Sequence, residues 1–421
     1  MKFEQYNFVP ALKQNLADLG FKRPTDIQFK AIPPTLKGED VLAIAQTGTG
    51  KTAAFAIPTI QMLCSKPVPI GEYETRCLVM VPTHELAIQV ADVYRALNKG
   101  LGLNIIGVYG GVKQEPQIGV LKSGVDVLLA TPGRMFDLAS QGFLSFKAVE
   151  ILIIDEADHM LELGFINDME QLIRRIPRNR QTLFFSATIN ERIKDLAYGL
   201  VQHAVRIHIS PKDPVSKNID HSVAFIEMDD KRFFLEHFIN ENPESKILVF
   251  VRTKVRAERV LKALERVGIA SQTIHSSKDQ GERTEVMDNF KSGKNRVLIA
   301  TDVSARGIDI PNVEFVINYD LPEVAENYVH RVGRTGRGNQ RGKALSFCST
   351  EELPILKEIE KYLHNPISVL GISNSEYQAT IDFSEESSHD WQSLIKDQEE
   401  FEANKKHKRT IKRRKRGRKN V

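Results

Sequence analysis

Val41-Leu42-Ala43-Ile44-Ala45-Gln46-Thr47-Gly48-Thr49-Gly50-Lys51-Thr52 is the stretch on which the reading of this chain turns. Its five leading apolar residues suit a short buried strand and are too few for a helix. A loop of small and hydroxylated residues follows, and residues 53–63 then have helical spacing. Such a strand–loop–helix junction aims backbone N–H groups at one point, where the helix dipole also favours negative charge. In that reading Thr47, Gly48, Thr49 and Gly50 wrap a nucleotide's phosphates. Lys51 reaches the β- and γ-phosphates, and the Thr52 hydroxyl ligates Mg²⁺. The usual pattern starts on glycine and here Ala45 takes that place, so a plain strand–turn–helix junction is the competing reading. Gly-Lys-Thr between a strand and a helix argues against it.

Working outward, short β-branched runs alternate with amphipathic stretches, the pattern of parallel sheets with crossover helices. Strands are expected at 41–45, 77–81, 104–109, 125–130, 150–154 and 182–186. A second series is expected at 223–227, 246–251, 271–275, 297–301, 314–318 and 344–347. Helical periodicity lies between them, as at 83–99 and 253–267. The layout therefore occurs about twice, which makes the chain α/β with two tandem parallel-sheet domains, residues 1–208 and 219–366. The linker, 209–218, is polar and holds Pro211 and Pro214. Beyond Pro366 the pattern fades into polar, acidic and then basic stretches. Residues 367–421 are expected to form a largely disordered polar and basic tail.

The composition, 41% hydrophobic and 27% charged, is that of a soluble globular protein. No apolar run reaches the roughly 18 residues of a membrane span, and Met1-Lys2-Phe3-Glu4-Gln5 lacks a secretory pattern. Cys64, Cys77 and Cys348 show no metal-ligand spacing and read as buried thiols of a reducing compartment. The expected location is cytoplasmic, or nuclear or nucleolar in a eukaryotic source. The net charge of +4 hides an asymmetry: residues 405–421 hold eleven Lys and Arg and no acid, leaving −7 on the rest. A basic tail on an acidic body suggests a tethered polyanion partner.

Two further segments carry chemistry. Ile151-Leu152-Ile153-Ile154-Asp155-Glu156-Ala157-Asp158 is a buried strand ending in acids. At the strand's carboxyl end Asp155 can hold Mg²⁺ through water, and Glu156 can polarise an attacking water as general base. Alone, such acids often just begin a loop; a phosphate loop about a hundred residues earlier strengthens the functional reading. His330-Arg331-Val332-Gly333-Arg334-Thr335-Gly336-Arg337 holds three arginines in eight residues. Arg334 and Arg337 are candidates to stabilise γ-phosphate charge from the second domain. An isolated basic cluster would be a solvated loop, but two close glycines suggest a tight backbone approach to a ligand. Asp309, after the strand at 297–301, could accept a hydrogen bond from a ribose hydroxyl or merely cap a turn before Pro311.

With these motifs in place, the chain resembles the DEAD-box RNA helicases of helicase superfamily 2 over most of residues 3–366. The resemblance implies two RecA-like domains that close over ATP and single-stranded RNA, with Mg²⁺. It implies hydrolysis of ATP to ADP and phosphate, coupled to local unwinding or remodelling of short RNA duplexes or RNA–protein complexes. Gly20-Phe21-Lys22-Arg23-Pro24-Thr25-Asp26-Ile27-Gln28 is similar to the family's adenine-reading segment, so Gln28 would read adenine and Phe21 stack on it, backed by Phe3. Ser186-Ala187-Thr188 matches the coupling segment, whose hydroxyls would bond Asp158, which in turn would meet His330. RNA contacts carry over to Thr83, Gly110, Gly111, Thr131, Arg134, Thr253, Lys278 and Thr301. Hydroxyls, backbone amides and bases suit phosphate rather than base recognition, so binding would be largely independent of sequence.

Two positions depart from the family pattern. His84 stands where arginine is usual, which implies a weaker, pH-sensitive phosphate contact. Ser276-Ser277 replaces Gly-Asp, which puts one RNA contact in doubt. Competing readings are a superfamily 2 DNA helicase, an ATP-gated RNA clamp or annealing protein using the basic tail, and a P-loop kinase or transport ATPase. The adenine-reading segment opposes the first, the complete set of Lys51, Asp155, Glu156 and Arg334 the second, and the arginine segment the third. The expected protein is a monomer with no membrane partner, its RNA partners lying in ribosome-assembly or RNA-degradation complexes. The tail reads as an RNA tether, with a targeting signal or a plain solvated tail as alternatives.

Overall fold

Along Val41–Ala45, Val41, Ala43 and Ala45 face one apolar cluster while Leu42 and Ile44 face another. The period of two puts alternate side chains on opposite faces, and both faces of this strand are covered. That double burial explains why the strands read as continuous apolar runs. The computed structural model describes residues 2–46, 48–189, 191–209, 215, 218–302, 313–336 and 341–382. Thr47, Asp309, Arg337, most of the expected linker and the basic tail lie outside the described residues.

The first sheet contains β1 (Val41–Ala45), β2 (Thr75–Met80), β3 (Ile105–Val108), β4 (Val125–Ala130), β5 (Ile151–Ile154), β6 (Gln181–Ser186) and β7 (Val205–Ile209). The second contains β8 (Ile219–Phe225), β9 (Ile247–Phe250), β10 (Gln272–Ile274), β11 (Val297–Ala300), β12 (Phe315–Asn318), β13 (Gly342–Cys348) and β14 (Ser368–Val369). Their orders are β3-β4-β2-β5-β6-β1-β7 and β10-β11-β9-β12-β13-β8-β14. Raising every number in the first order by seven gives the second, so the two domains share one topology. Adjacent strands pair in parallel, for example Leu42 with Phe184 and Val316 with Leu248. Each sheet is covered on both faces by apolar clusters, the tandem RecA-like arrangement.

Both sheets carry a seventh strand that the sequence reading leaves out. In β7, Arg206 and His208 alternate with apolar residues, and β14 is two exposed residues long. Edge strands of this kind lack the two-sided apolar run that marks the central ones. Regular structure also continues past residue 366, where a tail was expected. Leu370 N–H donates to Val223 O at 2.8 Å, and the helix Asn374–Asp382 docks through Tyr377. The Tyr377 ring lies 4.8 Å from that of Phe234, and its hydroxyl donates to Asp230 at 2.7 Å. One aromatic residue in a polar stretch supplies the anchor, too weak a signal for periodicity to find. No helix among the described residues is long and apolar enough to cross a membrane.

The order β5-β6-β1 sets the active-site geometry. The loops after β1, β5 and β6 emerge side by side at the strands' carboxyl ends, where open α/β sheets bind ligands.

Candidate active site

The helix Lys51–Ser65 starts directly after the phosphate loop, with Gly50 as its N-cap at φ 91°. The left-handed backbone favours glycine, and a Cβ there, 2.5 Å from Gln28 Nε2, would push the Gln28 amide aside. Lys51 is buried and donates to Ala45 O at 2.9 Å, folded back over its own loop. Thr49 Oγ1 donates to Gln46 O at 2.8 Å, and Thr52 occupies the second helical position. Gln28 Nε2 donates to Gly50 O at 3.1 Å, while Gln28 Oε1 accepts from Thr25 N–H at 3.0 Å. The amide assigned to adenine thus ties the helix Asp26–Leu36 to the phosphate loop. Phe21 is half-buried, its ring edge-on to Phe3 at 5.7 Å.

Asp155 follows β5 and is buried, its N–H donating to Met80 O at 3.0 Å and its Oδ1 accepting from Glu156 N–H at 3.0 Å. Glu156 sits at φ 50°, ψ 51°, a left-handed conformation rare outside glycine and concentrated at functional sites. The two adjacent acids are driven apart electrostatically. Burial pushes Asp155 up to about 7, opposed by Lys51 and reinforced by Glu156. Burial acts upward on Glu156 too, but the His159 hydrogen bond and charge, then Lys51 and Arg334, bring it down to about 2. Glu156 therefore stays ionised at neutral pH, whereas Asp155 has a buried carboxyl short of positive charge. That shortage, and the oxygen donors of Asp155 and Thr52, fit a small hard cation. Among the described residues no group of three or more acidic, His or Cys side chains is arranged to hold a metal ion by itself. Mg²⁺ suits such a site, because it typically takes one or two protein oxygens and completes its shell with phosphates and water.

Asp158 Oδ2 accepts from Ala187 N–H and Thr188 N–H, both at 3.0 Å, and from Thr188 Oγ1 at 3.4 Å. The tetrad is thereby joined to the end of β6. Ser186 differs from the expectation: its hydroxyl is fully buried and has no partner among the described residues.

On the second domain, the helix Ala325–Val332 carries His330 and Arg331, and Arg334 lies just past its end. Arg334 is 4% exposed and its Nε donates to His330 O at 3.1 Å. Its charge reaches Glu156 of the first domain. Gly336, expected to admit a ligand, instead meets its own domain: a Cβ there would lie 2.5 Å from Ile219 Cγ1, and φ is +64°. Arg331, absent from the sequence-based set, is 1% exposed. It donates to both Asp302 carboxylate oxygens at 2.5 and 2.8 Å, to Asp320 O at 2.7 Å and to Asn318 Oδ1 at 3.3 Å. This planar fork fastens the arginine segment to the loops after β11 and β12.

The four threonines assigned to RNA fall on equivalent strand ends. Thr83 follows β2 and Thr253 follows β9; Thr131 follows β4 and Thr301 follows β11. Both pairs are 170 residues apart. Thr83 and Thr253 N-cap their helices, accepting from Leu86 N–H at 3.3 Å and Arg256 N–H at 3.1 Å. Thr131 precedes Pro132 at the start of a helix. A row of helix starts offering N–H and hydroxyl groups suits a phosphate backbone. Arg134 donates to Val112 O at 2.9 Å and Gln117 Oε1 at 3.3 Å, which ties it to the loop after Gly110 and Gly111. Lys278 N–H donates to His275 O at 3.1 Å, and Ser277 N–H to His275 Nδ1 at 3.3 Å, so the Ser276-Ser277 departure lies in an ordered turn.

His84, the other departure, faces the second domain. Its Nδ1 lies 3.1 Å from Gln280 Oε1. Gln280 Nε2 donates to Glu85 Oε1 at 3.3 Å, and Arg283 pairs with the same carboxylate at 2.9 Å. Glu85, Gln280 and Arg283 were not singled out from the sequence. Glu85 reads there as an ordinary first-turn acid, and a partner almost two hundred residues away leaves no local signal.

This geometry agrees with what the chain is similar to. Residues 25–196 match the DEAD/DEAH box helicase model and residues 230–339 the helicase conserved C-terminal domain model. The ATP-dependent RNA helicase RhlB of Shewanella sp. (strain W3-18-1) is 39% identical over 378 residues, covering 89% of this chain and 86% of that protein. RhlB of Shewanella sediminis is 38% identical over 385 residues, with 90% and 88% covered. Saccharomyces cerevisiae Dbp5 bound to RNA and ADP BeF3 superposes with a TM-score of 0.79 at 27% identity, covering 90% of this chain and 99% of that one. Mss116p bound to ssRNA and AMP-PNP gives 0.80 at 27% identity, with 90% and 81% covered. Matching models in both halves, relatives alike over nearly their whole length and a duplicated RecA-like topology agree: the chain belongs to the DEAD-box family of ATP-dependent RNA helicases.

Proposed function

We propose that ATP and single-stranded RNA bridge the two domains, and that closure assembles a hydrolytic site from both. The observation that carries this reading is the direct contact between the domains, Arg283 to Glu85 at 2.9 Å and Gln280 to His84 at 3.1 Å, with the Arg334 charge of the second domain acting on Glu156 of the first. Gln28 and Phe21 hold adenine, the loop from Thr47 to Thr52 wraps the phosphates, and Asp309 takes the ribose. Lys51 leaves Ala45 O and turns to the β- and γ-phosphates. Asp155 and the Thr52 hydroxyl would hold Mg²⁺, which when bound neutralises phosphate oxygens. Glu156 orients the attacking water and accepts its proton as the water oxygen bonds the γ-phosphorus and the bond to ADP breaks. Phosphoryl transfer depends more on positioning and charge than on a strong base, so a low-pKa carboxylate suffices. Arg334 and Arg337 stabilise the charge on the γ-phosphate oxygens.

The threonine row grips RNA phosphates on both domains, so closure bends one strand and its partner leaves. The contacts of Asp158 with Ala187 and Thr188, together with His330, link that grip to hydrolysis. The basic segment 405–421 acts as an RNA tether that raises local RNA concentration.

Phosphate release measured with single-stranded RNA, with DNA of the same sequence and without nucleic acid tests the reading. RNA should stimulate turnover and DNA should not; equal stimulation by DNA would sink the RNA assignment. Removing residues 404–421 should leave turnover at saturating RNA intact but raise the RNA requirement and flatten its salt dependence. An unchanged salt slope removes the tether.

A further inference from the structure

His159 lies on the buried side of the acidic tetrad, in the short helix Ala157–Glu162 that follows β5. It is 3% exposed. Its Nδ1 is 3.4 Å from Glu156 Oε2, and its Nε2 has no partner among the described residues. An imidazole is an awkward side chain to bury here. Ala157 and Met160, beside it in the chain, belong to an apolar cluster, and an apolar residue would leave no unpaired nitrogen. Among the described residues the one polar side-chain contact that offsets its burial is with Glu156. Its backbone N–H also donates to Asp158 Oδ1 at 3.1 Å, the carboxylate whose other oxygen holds Ala187 and Thr188. His159 therefore stands between the proposed base and the link to β6.

We propose that His159 is a positioning residue for hydrolysis: its Nδ1–H holds the Glu156 carboxylate in the orientation that receives the attacking water. This rests on the reading of Glu156 as the base. Glu156 is itself in a left-handed backbone conformation, and its side chain makes no capping hydrogen bond to the helix it begins. His159, three residues on, supplies a support from the next turn. The charges of Lys51 and Arg334 also act on this carboxylate, but both residues are assigned to phosphate in the proposed reaction. His159 is the neighbour free to hold Glu156 throughout the cycle.

The test compares three variants of the full chain in RNA-stimulated phosphate release. His159→Leu keeps the bulk and removes the hydrogen bond. His159→Asn places an amide N–H near the site of Nδ1. Glu156→Gln reports on the base itself. His159→Leu should lower kcat about tenfold, with KM for ATP, affinity for AMP-PNP and thermal midpoint unchanged. His159→Asn should recover to within about threefold of the parent, and adding His159→Leu to Glu156→Gln should cost nothing more. If His159→Leu keeps full kcat, or His159→Asn is as impaired as His159→Leu, the ring is only packing and the inference falls. Loss of AMP-PNP affinity in step with kcat overturns it as well. Multiple turnover persisting in Glu156→Gln would remove the base assignment and this inference with it. A dead Glu156→Gln beside a fully active His159→Leu overturns this inference alone.

Discussion

Arg283 Nη2 lies 2.9 Å from Glu85 Oε1, joining the helix Gln280–Ser292 of the second domain to the helix His84–Leu97 of the first. Both side chains are largely shielded, at 14% and 11% exposure, so the pair feels less solvent screening than a surface bridge. Gln280 spans from the same carboxylate to His84. Since these contacts join separate domains, their free energy adds to closure rather than to the stability of either domain.

Arg283→Ala should therefore weaken RNA binding in the presence of AMP-PNP about tenfold, which is about 1.4 kcal/mol, and leave the thermal midpoint in place. Glu85→Ala should do the same, and the double variant should lose less than the sum. Fluorescence anisotropy with labelled RNA measures all three. Additive losses would mean that the two residues act separately.

Arg331 predicts the opposite kind of effect. Its guanidinium is buried and spends its donors on Asp302, Asn318 and Asp320. Arg331→Ala leaves a carboxylate without its cation and should cost about 3–5 kcal/mol in denaturant unfolding. Arg331→Lys should recover less than half of that, because an ammonium cannot make the paired fork. Full recovery by lysine would show that charge alone matters at this site.

Lys51 and Arg334 should separate binding from chemistry. Lys51→Ala should abolish turnover and weaken nucleotide binding. Arg334→Ala should lower turnover about 10²-fold or more while sparing nucleotide affinity, since its proposed contact with the γ-phosphate forms on closure. A fluorescent ATP analogue distinguishes the two, and parallel loss of affinity in both would contradict the division.

Glu258 accepts from His275 Nε2 at 2.7 Å and from Thr273 Oγ1 at 2.8 Å. The Ser277 N–H donated to His275 Nδ1 puts the ring proton on Nε2. Burial works to raise the Glu258 carboxyl, but the His275 and Thr273 hydrogen bonds bring it below the usual 4.5. Below pH 4.5 the unfolded chain takes up a proton that the folded one resists. The stabilisation is therefore complete above pH 4.5 and is lost as pH falls through the folded value. Glu258→Gln should lower the thermal midpoint at pH 7 and flatten the acid limb below pH 4.5. An unaltered acid limb would show that the bond carries no stability.

Much of this protein is legible along its sequence, for a physical reason: a strand buried on both faces must be a continuous apolar run, and a phosphate loop must place small residues between that run and a helix start. Hence Val41 to Thr52 could be read directly, as could the apolar run before Asp155 and the repetition of the layout. Thr83 and Thr253 were legible as residues but not as counterparts, because their equivalence lies in strand order rather than in local pattern. What only the tertiary structure decided are the relationships that depend on distance in space. Gln28 meets Gly50, Arg331 holds Asp302, His159 backs Glu156 and Arg283 meets Glu85. Composition and periodicity report how a residue relates to its chain neighbours. The strength of an ion pair, or of a hydrogen bond across a domain boundary, is set by separation and burial, which exist only once the chain has folded.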